Sequence, residues 1–145
     1  MQTKPSPPAL ARTVARNPLA HLLIAQRLKA AGFEGTVHND LQTRTGYSTD
    51  ESIFSITPQI VLVPKNAADV ARAATIVARE VRRFPNLSLT PRAAGTGLSG
   101  GSLTDSIAID MLPLNDIGKV KQTRTGATIT CGPGAYWRDV ESRLA

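Results

Sequence analysis

With 145 residues, 41% of them hydrophobic and 19% charged, the chain is long enough for one domain with its own core and lacks the composition of a disordered protein. Its one cysteine excludes an internal disulfide framework or a multi-cysteine metal site, and its apolar runs are too short to cross a bilayer. The net charge of +6 is concentrated early, because Lys4, Arg12, Arg16, Arg27 and Lys29 all precede the first acidic residue, Glu34, so it gives little support to a nucleic-acid-binding surface.

Residues 1–17 are Pro-rich and aperiodic and read as a flexible basic leader, with Pro5, Pro7 and Pro8 interrupting any presequence helix. Contact with an anionic membrane and mitochondrial import are alternative readings of such a leader; a solvated tail is the simpler one. Asn17 then offers a helix cap and Pro18 a first helical position. Leu19, Leu22, Leu23, Leu28 and Ala31 supply an apolar stripe, which predicts a helix over 18–31, stopped by Gly32 and preliminary to the core. From Gly35 to Pro58 the chain is irregular and polar. Thr43 to Asp50 reads as loop, and Asp50 and Ser52 are assigned to the capping of turns or helices.

Gln59 to Val63 is a β-branched apolar run closed by Pro64, as expected of a strand buried on both faces. Asn66 as cap, Asp69 three residues on, and Val70, Ala73, Ala74, Val77, Ala78 and Val81 at helical spacing predict the clearest helix in the chain. Arg79, Arg82 and Arg83 fall near its last turn, where they complement the helix dipole. Leu87 to Thr90 is a second strand, so the order strand, helix, strand implies a right-handed parallel crossover. Ser106 to Met111 is a third strand, with Ile107, Ile109 and Met111 on one face. Lys119–Thr123 and Thr128–Gly132 predict a hairpin about Thr125-Gly126, with Ile129 and Cys131 facing inward and the cysteine acting as a small buried hydrophobe. Ala135–Ala145 closes as a helix with Trp137, Val140 and Leu144 on one face; it meets the end of the sequence without a stop signal, which suggests a fragment. His21 and His38 lie outside any ligand-spaced motif, and no metal ligands are assigned. The elements together describe an α+β domain.

The densest local signal is Pro91-Arg92-Ala93-Ala94-Gly95-Thr96-Gly97-Leu98-Ser99-Gly100-Gly101, in which four of the last seven residues are glycine. Such a loop turns tightly and exposes backbone N–H groups suited to phosphate oxygens. Gly95-Thr96-Gly97-Leu98-Ser99-Gly100 spells G-x-G-x-x-G, yet the dinucleotide fingerprint needs a helix opening on the glycines, and here a strand follows. A Walker A loop is excluded because no Gly-Lys-Ser/Thr occurs. A phosphate cradle between strands and a glycine-rich turn without a ligand both survive. Arg92, placed to offset negative charge, and the hydroxyls of Thr96, Ser99 and Ser102 favour the cradle.

Ile60 to Met111, read as strand, capped helix, strand, Pro91-Arg92-x-x-Gly95-Thr96-Gly97-x-x-Gly100-Gly101 and strand, resembles the FAD-binding domain of the vanillyl-alcohol-oxidase and p-cresol-methylhydroxylase type. Tyr47-Ser48-Thr49-Asp50-Glu51-Ser52-Ile53-Phe54 and Gly132-Pro133-Gly134 are similar to the branch containing the D-lactate and D-2-hydroxyglutarate dehydrogenases. The resemblance implies that residues 18–145 form the N-terminal part of an FAD-binding domain, with the substrate-carrying cap domain outside this chain. It implies a loop wrapped on the FAD pyrophosphate, with Pro91, Arg92, Ala93, Ala94, Gly95, Thr96, Gly97, Gly100 and Gly101 as cofactor contacts and Gly134 as a weaker one. Ala93 and Ala94 stand where relatives often have glycine, so they either keep ordinary dihedrals or alter the loop. Thr96 stands where some relatives attach flavin through histidine, which implies dissociable, non-covalent FAD.

The implied reaction is oxidation of a small D-2-hydroxy acid by hydride transfer to FAD. No catalytic residue is assigned within the chain, and an iron–sulfur cluster is implied only for a C-terminal part beyond it. The implied setting is cytoplasmic, with a peripheral membrane contact or, in a eukaryote, a mitochondrial location as variants. The alternative function is a non-catalytic nucleotide-binding or interaction module of the same fold.

Overall fold

A computed structural model describes residues 18–144; the basic leader, residues 1–17, lies outside the described residues. Ten elements follow in order: α1 (Pro18–Ala30), β1 (Thr36–His38), α2 (Leu41–Gly46), β2 (Ile60–Val63), α3 (Ala67–Glu80), β3 (Leu89–Arg92), β4 (Ile107–Asp110), β5 (Lys121–Thr123), β6 (Gly126–Thr128) and α4 (Trp137–Leu144).

Four of the strands form one sheet in the order β1-β2-β4-β3. β4 runs parallel to both neighbours, with Leu62 opposite Ile109 and Arg92 opposite Asp110, while β1 joins β2 antiparallel. Ile-Val-Leu in β2 and all of Ile-Ala-Ile-Asp in β4 are buried, as two-sided cover of a parallel pair requires. The third strand therefore does not alternate between core and solvent as its pattern predicts; it is an interior strand of the sheet. β3 is an edge strand and is displaced two residues from the predicted 87–90, so that it includes Pro91 and Arg92, where a residue with no N–H to donate is tolerated.

The main core joins Ile60, Leu62, Ile107 and Ile109 of the sheet to Ile24 and Leu28 of α1 and to Ala73, Ile76 and Val77 of α3. α1 is thus part of the core rather than preliminary to it. Its buried face is Ala20, Ile24 and Leu28, spaced four apart, whereas Leu19 and Leu22 of the predicted stripe are exposed. His21 is also buried, with Nε2 3.2 Å from Ser106 Oγ. In α3, Asn66 caps as predicted, its side chain accepting from the Asp69 N–H, but Ala74 and Ala78 face out and Ile76 faces in.

The stretch 35–58 is less irregular than its sequence suggests. It contains β1 and α2, the latter capped by Asp40, whose Oδ1 accepts from the Thr43 N–H at 2.8 Å. Elements of three and six residues are too short to show a period.

A hairpin forms here as β5 and β6, but it turns at Arg124 and Thr125 and its second strand ends at Thr128, where the predicted one begins; every residue of both strands is exposed. With no layer behind it there is no interior for Cys131, which is exposed and bridges Ile117; the expectation of a buried cysteine is corrected. In α4 only Val140 is buried. Trp137 is 70% exposed and Leu144 53%, so the predicted apolar face has one buried member. Among the described residues no helix is long and apolar enough to cross a membrane, and no group of three His, Cys, Asp or Glu is placed to hold a metal ion.

Candidate anion-binding loop

β3 and β4 are adjacent and parallel, so residues 93–106, which join them without a helix, must leave the carboxyl end of one strand and return to the amino end of the other. Two glycines turn this path, Gly95 at φ +71° and Gly100 at φ +74°, conformations that carry a steric penalty for any residue with a Cβ. Among the described residues no non-glycine has positive φ, so Ala93 and Ala94 sit on ordinary dihedrals and leave the bends to the glycines. Thr96, Gly97, Leu98, Ser99 and Gly101 are exposed. None of the backbone N–H groups from Ala93 to Ser102 donates to another group of the described chain.

A segment from far upstream straps the loop. Glu51 N–H donates to Gly95 O at 3.1 Å, and Ser102 Oγ donates to Asp50 Oδ2 at 3.0 Å. Asp50 Oδ1 meanwhile accepts from the Ser52 N–H at 2.9 Å. Hydrogen bonds from Ser52, then from Ser102, together with the Arg92 charge hold the Asp50 carboxyl below its ordinary value against the cost of desolvation. The Phe54 ring lies under Gly100, where an added Cβ would come within 2.9 Å of Phe54 Cδ2. Of the three hydroxyls singled out in the sequence, that of Ser102 fastens the strap. The capping role assigned to Asp50 and Ser52 is present, but extends to the loop itself.

Arg92 ends β3 and its guanidinium lies over the Tyr47 ring, 5.6 Å from the centroid. Tyr47 Oη donates to Asp110 Oδ2 at 2.7 Å, and Asp110 Oδ1 accepts from the Leu112 N–H at 2.9 Å. Desolvation and this donation to Asp110 push the Tyr47 phenol up to about 12. A phenol raised above its ordinary 10.0 contributes stability that is complete below pH 10 and is lost as pH rises through about 12. An ultraviolet titration is therefore expected to show a tyrosine ionising near 12 that disappears in Tyr47→Phe; an unchanged Tyr47→Phe titration would count against the bond to Asp110.

Gly134 packs on the chain that leaves β4. It is buried, its N–H donates to Leu114 O at 3.0 Å, and a Cβ there would lie 2.2 Å from Met111 O and 2.6 Å from Leu112 O. Tyr47, Phe54 and Asp110 were not assigned as site residues, although the motif from Tyr47 to Phe54 and the polar run 43–52 mark the strap in the sequence.

These features suit a diphosphate. A run of unengaged N–H donors is held open by two glycine bends, and a cation lies behind it whose Nη1 is buried without a partner.

Residues 58–145 match the model of a family described as FAD binding domain. The D-2-hydroxyglutarate dehydrogenase of Pseudomonas putida KT2440 is 44% identical over 86 residues, which is 59% of this chain and 8% of that protein. The Escherichia coli K12 enzyme of the same name is 40% identical over 86 residues, again 59% and 8%. The chain thus spans less than a tenth of the length of these curated relatives. Among solved structures, an alkyldihydroxyacetonephosphate synthase superposes with a TM-score of 0.64 at 16% identity, covering 93% of this chain and 26% of that one. The xylooligosaccharide oxidase of Myceliophthora thermophila C1 gives 0.61 at 17%, covering 83% and 24%. These likenesses establish the fold, the α+β architecture of p-cresol-methylhydroxylase-type domains. On the match over residues 58–145, the chain belongs to the FAD binding domain family, and FAD is its cofactor.

Proposed function

We propose that this chain is the cofactor-holding portion of a flavin-dependent dehydrogenase of D-2-hydroxy acids, with 2-hydroxyglutarate as the leading substrate. In this reading residues 18–145 are the N-terminal part of its FAD domain. The observation that carries the cofactor site is the run of unengaged N–H groups from Ala93 to Ser102, held by the Asp50 strap. The substrate class rests on the similarity to D-2-hydroxyglutarate dehydrogenases.

Pro91 and Arg92 bring β3 to the site, and Ala93, Ala94, Gly95, Thr96, Gly97, Gly100 and Gly101 offer backbone to the pyrophosphate. Gly134 supports the neighbouring chain rather than touching the cofactor. When bound, the flavin supplies the acceptor for two electrons. The residues of this chain bind and orient it; the base and the groups holding the substrate carboxylate belong to other parts of the enzyme. Thr96 cannot form the bond to flavin that histidine makes, and no histidine lies in the loop, so the cofactor is non-covalent.

Fluorescence titration of the chain with FAD is the test. Saturable binding that ADP displaces, with all flavin released on acid precipitation, is expected. An absence of binding would overturn the site, and flavin that stays with the precipitate would overturn its non-covalent attachment.

A further inference from the structure

We propose that Arg92 is the positioning residue of the cradle, a cation held behind the glycine loop that acts on a diphosphate in front of it through the backbone at Gly95. This rests on the FAD reading and adds the source of the positive field.

In helix-based phosphate sites the dipole of the helix helps to attract the anion. Here the loop joins two strands and no helix opens on it. The N–H groups supply donors, but formal positive charge must come from a side chain. Arg92 is placed to supply it. Its Cα is in register with that of Asp110 across the parallel pair, so both side chains rise from the same face of the sheet. Tyr47 fills the space between them, its ring under the guanidinium and its hydroxyl on Asp110.

The guanidinium is also pressed against the loop. A Cβ built on Gly95 would lie 2.4 Å from Arg92 Nη2 and 2.7 Å from Cζ, so the cation occupies the volume that a side chain at 95 would need. Glycine at 95 therefore serves the bend and admits the charge.

That charge has no ion pair at contact distance among the described residues, and the buried Nη1 of Arg92 has no hydrogen-bond partner. The nearby carboxylates accept their hydrogen bonds from other groups, Asp110 from Tyr47 and Leu112 and Asp50 from Ser52 and Ser102, and Asp50 meets the Arg92 charge only at longer range. A buried guanidinium N–H without a hydrogen-bond partner is costly to the empty protein. That cost is offset when an anion arrives close by, because the attraction across the Gly95 backbone is screened less than one across bulk water. Arg92 thus trades stability of the empty fold for affinity, as functional sites do.

The trade distinguishes this role from packing. In Arg92→Gln the ligand-free chain is expected to melt no lower than wild type, while affinities for FAD and ADP fall by about tenfold or more and lose much of their dependence on KCl. Arg92→Lys, which keeps the charge without the planar stack, is expected to recover part of the affinity. Unchanged FAD and ADP affinity in Arg92→Gln overturns the proposal, as does a loss no larger than the fall in ligand-free stability. If Arg92→Gln does not fold, Arg92→Lys decides, and affinity there that is independent of KCl overturns it. A wild-type chain that binds neither FAD nor ADP overturns the cofactor reading, and this proposal with it. Normal wild-type binding beside an indifferent Arg92→Gln overturns this proposal alone.

Discussion

Asp69→Ala is expected to destabilise the fold by roughly 3–5 kcal/mol, the range for breaking a buried charged network. In a domain of this size that is a fall in melting temperature of about 10 °C or more. Asp69 is fully buried at the start of α3. Its Oδ1 accepts from the Glu34 N–H at 3.0 Å and from Arg72 Nη1 at 2.9 Å, and its Oδ2 from the Lys65 N–H at 3.0 Å. One carboxylate thereby ties the approach to β1, the exit from β2 and the first turn of α3, and alanine would leave these donors unsatisfied. Burial alone would push its pKa up, but the N–H groups of Glu34 and Lys65, the Arg72 guanidinium and the Gly35 N–H outweigh that and hold it below 3.8. With the folded pKa depressed, this stability is present above 3.8 and is lost as pH falls through the lower folded value. Thermal melts by circular dichroism across the acid range are the check. An Asp69→Ala chain melting within a few degrees of wild type, or one with an unchanged acid limb, would contradict the assignment.

Gly134→Ala should separate packing from cofactor contact within one family of glycines. The added methyl would sit 2.2 Å from Met111 O and 2.6 Å from Leu112 O. Those are backbone atoms at the end of β4, so relief requires the chain itself to move. The expected loss is about 1–3 kcal/mol, the usual cost of overpacking. Gly97→Ala makes the opposite case, since its nearest neighbour would be Asp50 Oδ2 at 4.0 Å and its φ is not positive. Its ligand-free stability is expected to stay within about 0.5 kcal/mol of wild type, while the methyl obstructs the exposed face of the loop and weakens FAD binding. Urea unfolding and FAD titration of both variants provide the comparison. Equal stability of Gly134→Ala and wild type would return Gly134 to the list of cofactor contacts.

What could be read from the sequence follows the range of the interactions. The Asn66 to Asp69 cap spans three residues and the apolar runs of β2 and β4 span four or five, so their elements were predictable. α1 had predictable bounds and an unreadable face, because Leu19, Leu22 and Leu23 compete with Ala20, Ile24 and Leu28 and leave no single apolar stripe. The glycine loop declared itself by composition. Its holders did not: Ser102 reaches Asp50 across 52 positions, and Tyr47 reaches Asp110 across 63. Short-range pattern contains no such pairing. Cys131 was misjudged for a related reason, since alternation near a hairpin implies an inward face only if another layer covers it.

The strand order β1-β2-β4-β3 also bears on how the domain comes together. β2 and β3 flank α3 in sequence but are not neighbours, and each finds its parallel partner only in β4. Until residues 107–110 join, the main sheet has just the antiparallel pairing of β1 with β2. Each parallel ladder then closes on β4 across a long connection, which makes for slow folding. Under mild denaturation β1 can fray by itself, but release of β4 dissolves the platform on both sides. The protection of β4 amides from hydrogen exchange should accordingly match that of the whole domain.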